Sequence, residues 1–329
     1  MSLSGMTRPV GPRGLCLPVL GMGAAPLGLL FEPVTDGQAE ATVAAALGRG
    51  IRYFDTAPSY GLGASERRLG AVLGSRDRDG FVVSTKVGTL LRRGGRDHLE
   101  RASVGLDPGV TAVGDWTGEG IRRSIEDSLE RLGLERIDIA YLHDPDEHLD
   151  EVRRSAYPAL ARLRDEGAVA AIGVGTNHAD VAARFVRELD LDVVLLARRY
   201  TLLDQSAQAD FLPACEETGT AVVVAGVMRI LLPPARPGAD SHYPHVPQEV
   251  LGKARRIEDV CRAHGVGLAA AAMRFPLGHP AVATVLVGMR SPEEVTDNVE
   301  AFGAEIPPAL WDDLRGAGLL DPSIPQPPG

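Results

Sequence analysis

The stretch Gly50-Ile51-Arg52-Tyr53-Phe54-Asp55-Thr56-Ala57-Pro58-Ser59-Tyr60-Gly61 starts as a short apolar run and stops on a carboxylate. A tyrosine follows five residues later, in a loop stiffened by Pro58. Two more apolar runs stop on a functional side chain. Phe81-Val82-Val83-Ser84-Thr85-Lys86 ends on an ammonium, and Ile137-Asp138-Ile139-Ala140-Tyr141-Leu142-His143 on an imidazole. In a barrel of parallel strands, positions at the strand ends converge on one rim, where chemistry is done. The three runs and the Tyr60 loop therefore predict both a fold and a place for a site.

Outward from these runs, short β-branched segments alternate with longer amphipathic ones. The pattern predicts strands near 19–23, 51–54, 82–86, 138–142, 169–174, 192–196, 220–224 and 283–287. Helices are predicted near 37–49, 64–73, 118–132, 151–166, 179–188, 206–217, 249–263 and 291–302. Strands that alternate with helices call for a parallel sheet with crossover connections. Eight such units close a (β/α)8 TIM barrel, an α/β fold of about 250 residues before insertions. Asp36 is placed at the opening of the first helix. Ser291-Pro292-Glu293-Glu294 reads as an N-cap, a proline at the first helical position and two acids.

Segments 8–10 and 15–18, around Gly11-Pro12-Arg13-Gly14, are expected to form an N-terminal hairpin over the closed bottom of the barrel. Two long βα loops stand out. Residues 88–117 carry Arg92, Arg93, Arg96, His98 and Trp116, and residues 226–248 carry several prolines and His245. Both follow strands, so both are expected on the active rim as walls of the substrate pocket. No linker interrupts the series, which predicts one domain over 1–329, with a core at about 15–303. The Pro-rich tail 321–329 is expected to be extended or disordered.

Taken as chemistry, Asp55, Tyr60, Lys86 and His143 form a proton-transfer set. A free tyrosine titrates near roughly 10. An adjacent Lys86 ammonium is expected to lower that value, with Asp55 keeping the ammonium charged and oriented. His143 would donate to a substrate oxygen and fix its angle. The set suits protonation of an alkoxide formed by hydride addition, or the reverse reaction.

Other patterns are weaker. Gly21-Met22-Gly23-Ala24-Ala25-Pro26 lacks the last glycine of a dinucleotide fingerprint and no helix follows promptly, so no Rossmann domain is expected. The His143-Asp144-Pro145-Asp146-Glu147-His148 stretch crowds its ligand types into one stiff loop and reads as a solvated acidic loop, not a metal site. Arg67-Arg68 reads as a solvated helix face, and His178 and His264 have no partner that the sequence names.

The net charge of −10 over 329 residues argues against a nucleic-acid or anionic-membrane surface. Cys16, Cys215 and Cys261 form no CxxC pair, which suggests neither a zinc site nor a disulfide framework, and a reducing, cytoplasmic setting is expected. Neither a signal peptide nor a run of about 18 apolar residues is apparent. The expected partner is a small molecule, and the oligomeric state is left open.

With these residues placed, the chain from about 15 to 303 resembles the aldo-keto reductase family, in its aldose and pyridoxal dehydrogenase branch. The resemblance rests on 50–61, Ser65-Glu66-Arg67-Arg68-Leu69-Gly70, Ser84-Thr85-Lys86-Val87-Gly88, Asp138–Asp144 and Arg199-Tyr200-Thr201-Leu202-Leu203-Asp204-Gln205. It implies a metal-free (β/α)8 barrel with a nicotinamide cofactor, NAD or NADP, laid across the C-terminal rim. It also implies a catalytic tetrad of Asp55, Tyr60, Lys86 and His143, with Tyr60 as general acid or base. Asn177 matches the residue that holds the carboxamide. Gly226, Gly288, Arg290, Ser291, Glu294 and Asn298 match cofactor-binding positions, and Ser291 opens a helix whose N–H groups suit phosphate.

Glu294 stands where many members carry a base, and a carboxylate there would repel a 2′-phosphate and favour NAD, although Arg290 could still grip one. Ala225-Gly226-Val227-Met228-Arg229-Ile230-Leu231 replaces a Gly-Gly-aromatic-Asn-Ser-Gly-like turn, and Arg198 stands where the branch carries glycine. The implied activity is hydride transfer between nicotinamide and an aldehyde, ketone, sugar lactol, pyridoxal-like substrate or secondary alcohol. Two other readings compete: a nucleotide-binding regulatory or structural subunit with little turnover, and a cofactor-free lyase or isomerase using Lys86 as a Schiff base.

Overall fold

In the computed structural model, residues 5–28, 33–94, 109–228 and 247–327 are described. Arg96, His98, Arg229 and His245 lie outside them. Eight parallel strands close into a barrel. In chain order they are β3 (Leu20–Gly23), β4 (Tyr53–Asp55), β5 (Val82–Val87), β8 (Ile139–His143), β9 (Ala171–Thr176), β10 (Val193–Ala197), β11 (Ala221–Ala225) and β12 (Val282–Gly288), and β12 pairs back onto β3. The fold is a (β/α)8 TIM barrel.

The outer layer includes α1 (Asp36–Gly48), α2 (Ala64–Leu73), α3 (Gly118–Leu132), α5 (Tyr157–Asp165), α6 (Ala179–Glu188), α7 (Phe211–Thr218), α8 (Gln248–Ala263), α9 (Leu268–Arg274) and α10 (Pro292–Phe302). The chain reaches α5 through the short α4 (Leu149–Glu151) and a π-helical turn, Val152–Ala156, so the expected helix 151–166 is present with a bulge. The expected helix 206–217 is a 3-10 turn, Ser206–Gln208, followed by α7. The first helix opens at Asp36 as expected, and Thr35 caps it by accepting from the Gln38 N–H.

Alternation along the strands divides the core in two. One apolar cluster fills the barrel with Tyr53, Ile139, Tyr141, Val193, Leu195 and Val223, and a larger one lies between sheet and helices. At the bottom, Asp138 accepts the Val83 N–H at 2.7 Å and Asp192 the Ile172 N–H at 2.9 Å, which caps strand starts next to β8 and β10. These buried carboxylates are paired with Arg78 and Arg164.

The N-terminal hairpin, β1 (Thr7–Val10) with β2 (Leu15–Pro18), closes the same end. Its Val10 and Leu17 join the barrel-interior cluster. Arg8 donates to the carbonyls of Leu277, His279 and Val282, at the start of β12.

Three elements escape the sequence pattern. Residues 88–117 hold a β-arm, β6 (Thr89–Arg93) paired antiparallel with β7 (Val110–Gly114). The alanine-rich α9 lacks amphipathic period because Ala270 to Arg274 are all buried. A last helix, α11 (Pro308–Gly316), buries Leu310, Trp311 and Leu314. Over the described residues 321–327 the tail runs without helix or strand, and it packs against the barrel body through buried Ile324 and Pro327. Among the described residues no helix is long and apolar enough to cross a membrane.

Candidate active site

The rim of adjacent strands β4, β5 and β8 brings the expected residues together. Asp55, Lys86 and His143 are the last inward positions of these strands, because i and i+2 share a face: Tyr53 and Asp55, Ser84 and Lys86, Tyr141 and His143. Lys86 Nζ lies 2.7 Å from Asp55 Oδ2 and donates to the Thr56 carbonyl at 2.8 Å. The Tyr60 ring centroid is 4.7 Å from the same nitrogen. The Tyr60 and His143 rings meet edge to face, with centroids 5.9 Å apart.

Asp55 is itself held from below. Ser84 donates to Asp55 Oδ1 at 2.7 Å, and the Ser84 hydroxyl shares a hydrogen bond with Tyr53, which reaches Tyr141. Both carboxylate oxygens are thus engaged, one by a hydroxyl and one by an ammonium. The loop that carries Tyr60 is braced from behind. Ser65 donates to the Ala24 carbonyl and pairs with Thr56. The Gly28 and Gly61 backbones touch so closely that a Cβ on Gly61 would overlap Gly28. Glu66, fully buried, accepts from Thr85 at 2.9 Å and from Arg131 at 2.5 Å. Arg68 is not merely solvated: it donates to the carbonyls of Leu27 and Val34 and pairs with Asp36.

Electrostatics refine the expectation for each group. Burial works against the Lys86 charge, but Asp55 and then Tyr60 outweigh it, and Lys86 sits above the ordinary lysine value. Burial raises the Tyr60 phenol; the Lys86 ammonium pulls it down without cancelling the rise. The net direction is therefore upward, opposite to the lowering expected from Lys86 alone, because the sequence names the ammonium but not the dry rim around it. Burial, reinforced by Lys86, pushes His143 down to about 3, so the ring is neutral at physiological pH.

The residues expected to hold the cofactor occupy the other half of the rim. Asn177 follows β9, Gly226 follows β11, Gly288 ends β12, and Arg290, Ser291, Glu294 and Asn298 lie at the start of α10 and along it. The Asn177 main-chain carbonyl accepts from Arg199 at 2.7 Å, and Arg199 is paired with Asp204. The Asn177 Oδ1 is buried without a partner among the described residues. An orphan carbonyl at this rim fits the amide N–H of a nicotinamide carboxamide, so the residues present fit a nicotinamide dinucleotide. Ser291 caps α10 by accepting the Glu294 N–H. Glu294 turns back on Arg290, taking its main-chain N–H and its Nε, both at 2.9 Å. Arg290 is thus already engaged by a carboxylate.

Arg198 adopts φ +71°, a left-handed conformation that costs a side-chain-bearing residue strain, and a Cβ on Gly226 would lie 2.9 Å from its Cγ. Asp144 is also left-handed and pairs with Asn177 at 3.5 Å. Asp146 accepts from Thr176 at 2.6 Å, so this acidic loop anchors β9. Among the described residues no group of His, Cys, Asp and Glu could hold a metal. The sequence named neither Ser84 nor Arg199 as a supporting residue. Inward alternation could have found Ser84. Arg199 opens one of the stretches that carry the resemblance, but nothing local in it points to the Asn177 carbonyl.

The family model described as aldo/keto reductase matches residues 19–318. The chain is 47% identical over 319 residues to a D-threo-aldose 1-dehydrogenase from a Pseudomonas species, covering 93% of this chain and 96% of that one. It is 39% identical over 334 residues to the pyridoxal 4-dehydrogenase of Microbacterium luteolum, covering 95% and 97%. Its fold is shared with the glycerol dehydrogenase of Gluconobacter oxydans, at a TM-score of 0.74 and 24% identity over 98% of this chain and 99% of that structure. By family match and by barrel, the chain belongs to the aldo/keto reductase family and is an NAD(P)-dependent oxidoreductase.

Proposed function

We propose that the protein is an aldose 1-dehydrogenase with a preference for NAD, acting on the anomeric carbon of a sugar lactol. The observation that carries the chemistry is the buried Asp55–Lys86 pair set 4.7 Å from the Tyr60 ring, with neutral His143 edge-on to the same ring. When bound, an oxidised nicotinamide dinucleotide would accept the hydride from the carbinol carbon. The chain's own part is to bind the sugar oxygen and move its proton. Tyr60, as phenolate, takes the proton of the anomeric hydroxyl while the C–H bond breaks, leaving a lactone. Lys86 stabilises the phenolate, and Asp55 keeps Lys86 charged and aimed. Neutral His143 holds the substrate oxygen through one ring N–H. Asn177 would take the carboxamide, Gly226 and Gly288 would present backbone to the dinucleotide, and Arg290, Ser291, Glu294 and Asn298 would hold its adenosine end.

Sugar specificity is supported by the 47% identical D-threo-aldose 1-dehydrogenase. The cofactor preference is supported by Glu294, which neutralises Arg290 and would repel a 2′-phosphate. A Schiff-base role for Lys86 is disfavoured because the amine is buried, charged and paired. A subunit without turnover would not need this phenol beside this ammonium.

The test is formation of reduced cofactor from NAD and from NADP, each with D- and L-aldoses, pyridoxal and secondary alcohols. Aldose oxidation with NAD is expected to dominate, and Tyr60→Phe should lose turnover by at least about a thousandfold while nucleotide binding persists. Full activity in that variant would remove the assignment.

A further inference from the structure

We propose that Tyr141, Tyr53 and Ser84 form a one-way hydrogen-bond column inside the barrel that positions Asp55 and tempers the field its charge exerts on Lys86 and Tyr60. The proposal rests on the reading of Tyr60 as proton carrier and deepens it. The column stands directly beneath the site. Tyr53, Ser84 and Tyr141 lie two residues before Asp55, Lys86 and His143 on β4, β5 and β8, one inward step further down each strand. All three are fully buried. Tyr141 reaches Tyr53 at 3.3 Å, Tyr53 reaches Ser84 at 3.0 Å, and Ser84 reaches Asp55 Oδ1 at 2.7 Å.

Proton counting fixes the direction of every link. Ionised Asp55 can only accept, and its other oxygen takes Lys86. Ser84 gives its one proton to Asp55, so the Tyr53 hydroxyl must donate to Ser84. Tyr53 then has no proton left for its neighbour, and Tyr141 must donate to Tyr53. Three O–H dipoles thus point the same way, with their positive ends toward Asp55. Aligned links of this kind polarise one another in a dry interior.

A carboxylate held by such a column projects less of its charge onto the rim. Asp55 opposes a phenolate at Tyr60 and keeps Lys86 to itself, so the column eases formation of that phenolate. Packing alone does not call for these hydroxyls. The surrounding interior includes Ile139, Val193, Leu195 and Val223, where aromatic and small apolar side chains would fill the same space with no polar atom to satisfy. The titratable groups that act on Tyr60 are Lys86 from β5, Asp55 from β4 and Asp144 just beyond β8, with the His143 ring edge-on.

The experiment is the pH profile of kcat/KM for aldose oxidation with NAD in wild type, Ser84→Ala, Tyr53→Phe and Tyr141→Phe. None of these variants adds or removes a charge at neutral pH. The alkaline rise should move to higher pH, by about half a pH unit or more in Ser84→Ala, less in Tyr53→Phe and least in Tyr141→Phe. That grading follows the distance of each lost donor from Asp55. A loss of rate in Ser84→Ala with the rise left in place would show that the column only packs, and would overturn the proposal, as would a shift to lower pH. The Tyr60 phenol can also be titrated without turnover, by tyrosine ring-carbon NMR of each protein against the same protein carrying Tyr60→Phe, and the same order is expected. A wild type that oxidises no aldose but keeps that order would remove the aldose reading and leave the column standing. A wild type that oxidises aldoses with a profile that Ser84→Ala does not move would remove the column alone.

Discussion

The Tyr60 phenol is pulled two ways, upward by burial and downward by Lys86, and burial prevails. In the proposed mechanism reduction needs the protonated phenol and oxidation the phenolate. Because the value lies above that of ordinary tyrosine, the acid form persists through neutral pH. Reduction rates should be flat from about pH 6 to 8, and oxidation should climb through the alkaline range toward or beyond roughly 10. His143, pushed down to about 3, is uncharged throughout and should add no inflection near the ordinary histidine value of about 6.5. A pH profile of kcat/KM in both directions checks this; a break near neutrality that disappears in His143→Gln would contradict it. The identities of the four residues were legible because each stands at a strand end or in the loop just after one. Their charge states were not, because desolvation is a property of the assembled rim. The strained backbone of Arg198 was equally hidden, since sequence shows an arginine but not its φ.

At the level of elements, the Tyr60 loop is aimed by the helix that follows it. α2 lies against the end of α3 so closely that a Cβ on Gly70 would fall 2.1 Å from the Leu132 carbonyl oxygen. Gly70→Ala must push the two helices apart. A loss of roughly 2–3 kcal/mol is expected in urea unfolding, together with a fall in kcat because the Tyr60 loop moves with α2. Unchanged stability would mean that the contact yields freely. The crossover helices were legible from apolar periodicity, and α10 from its Ser291-Pro292 start. The α9 helix was not, because a helix buried all round shows no polar face. The β6–β7 arm was read as loop because its two short strands are separated by a long intervening segment and no tight-turn signal joins them. α11 carried a readable signal, Pro308 at its start and Leu310, Trp311 and Leu314 at helical spacing, but it lies outside the eight expected units.

For the molecule as a whole, the barrel was legible from the count and spacing of its units, and the bottom hairpin from two short segments around a Gly-Pro-Arg-Gly turn. The latch that fastens that hairpin was not, because its donor and acceptors are far apart in sequence. Arg8→Ala would remove a donor from three carbonyls near the start of β12, of which that of His279 keeps the Val282 N–H. Stability should fall by about 2–4 kcal/mol, while kcat at 25 °C, set at the opposite rim, should hold. An activity loss matching the stability loss would show that the two ends are coupled. The latch also imposes an order in time. Arg8 leaves the ribosome long before its partners, which lie 269 to 274 positions later. Until translation has delivered β12, the hairpin lacks its latch, β3 lacks one neighbour, and the nascent barrel is an open sheet with two bare edges. Such an intermediate is prone to pair with other chains. Slow synthesis of the segment that leads to β12 would lengthen that exposure, and a chaperone that shields the earlier strands would matter most for this protein before β12 is made.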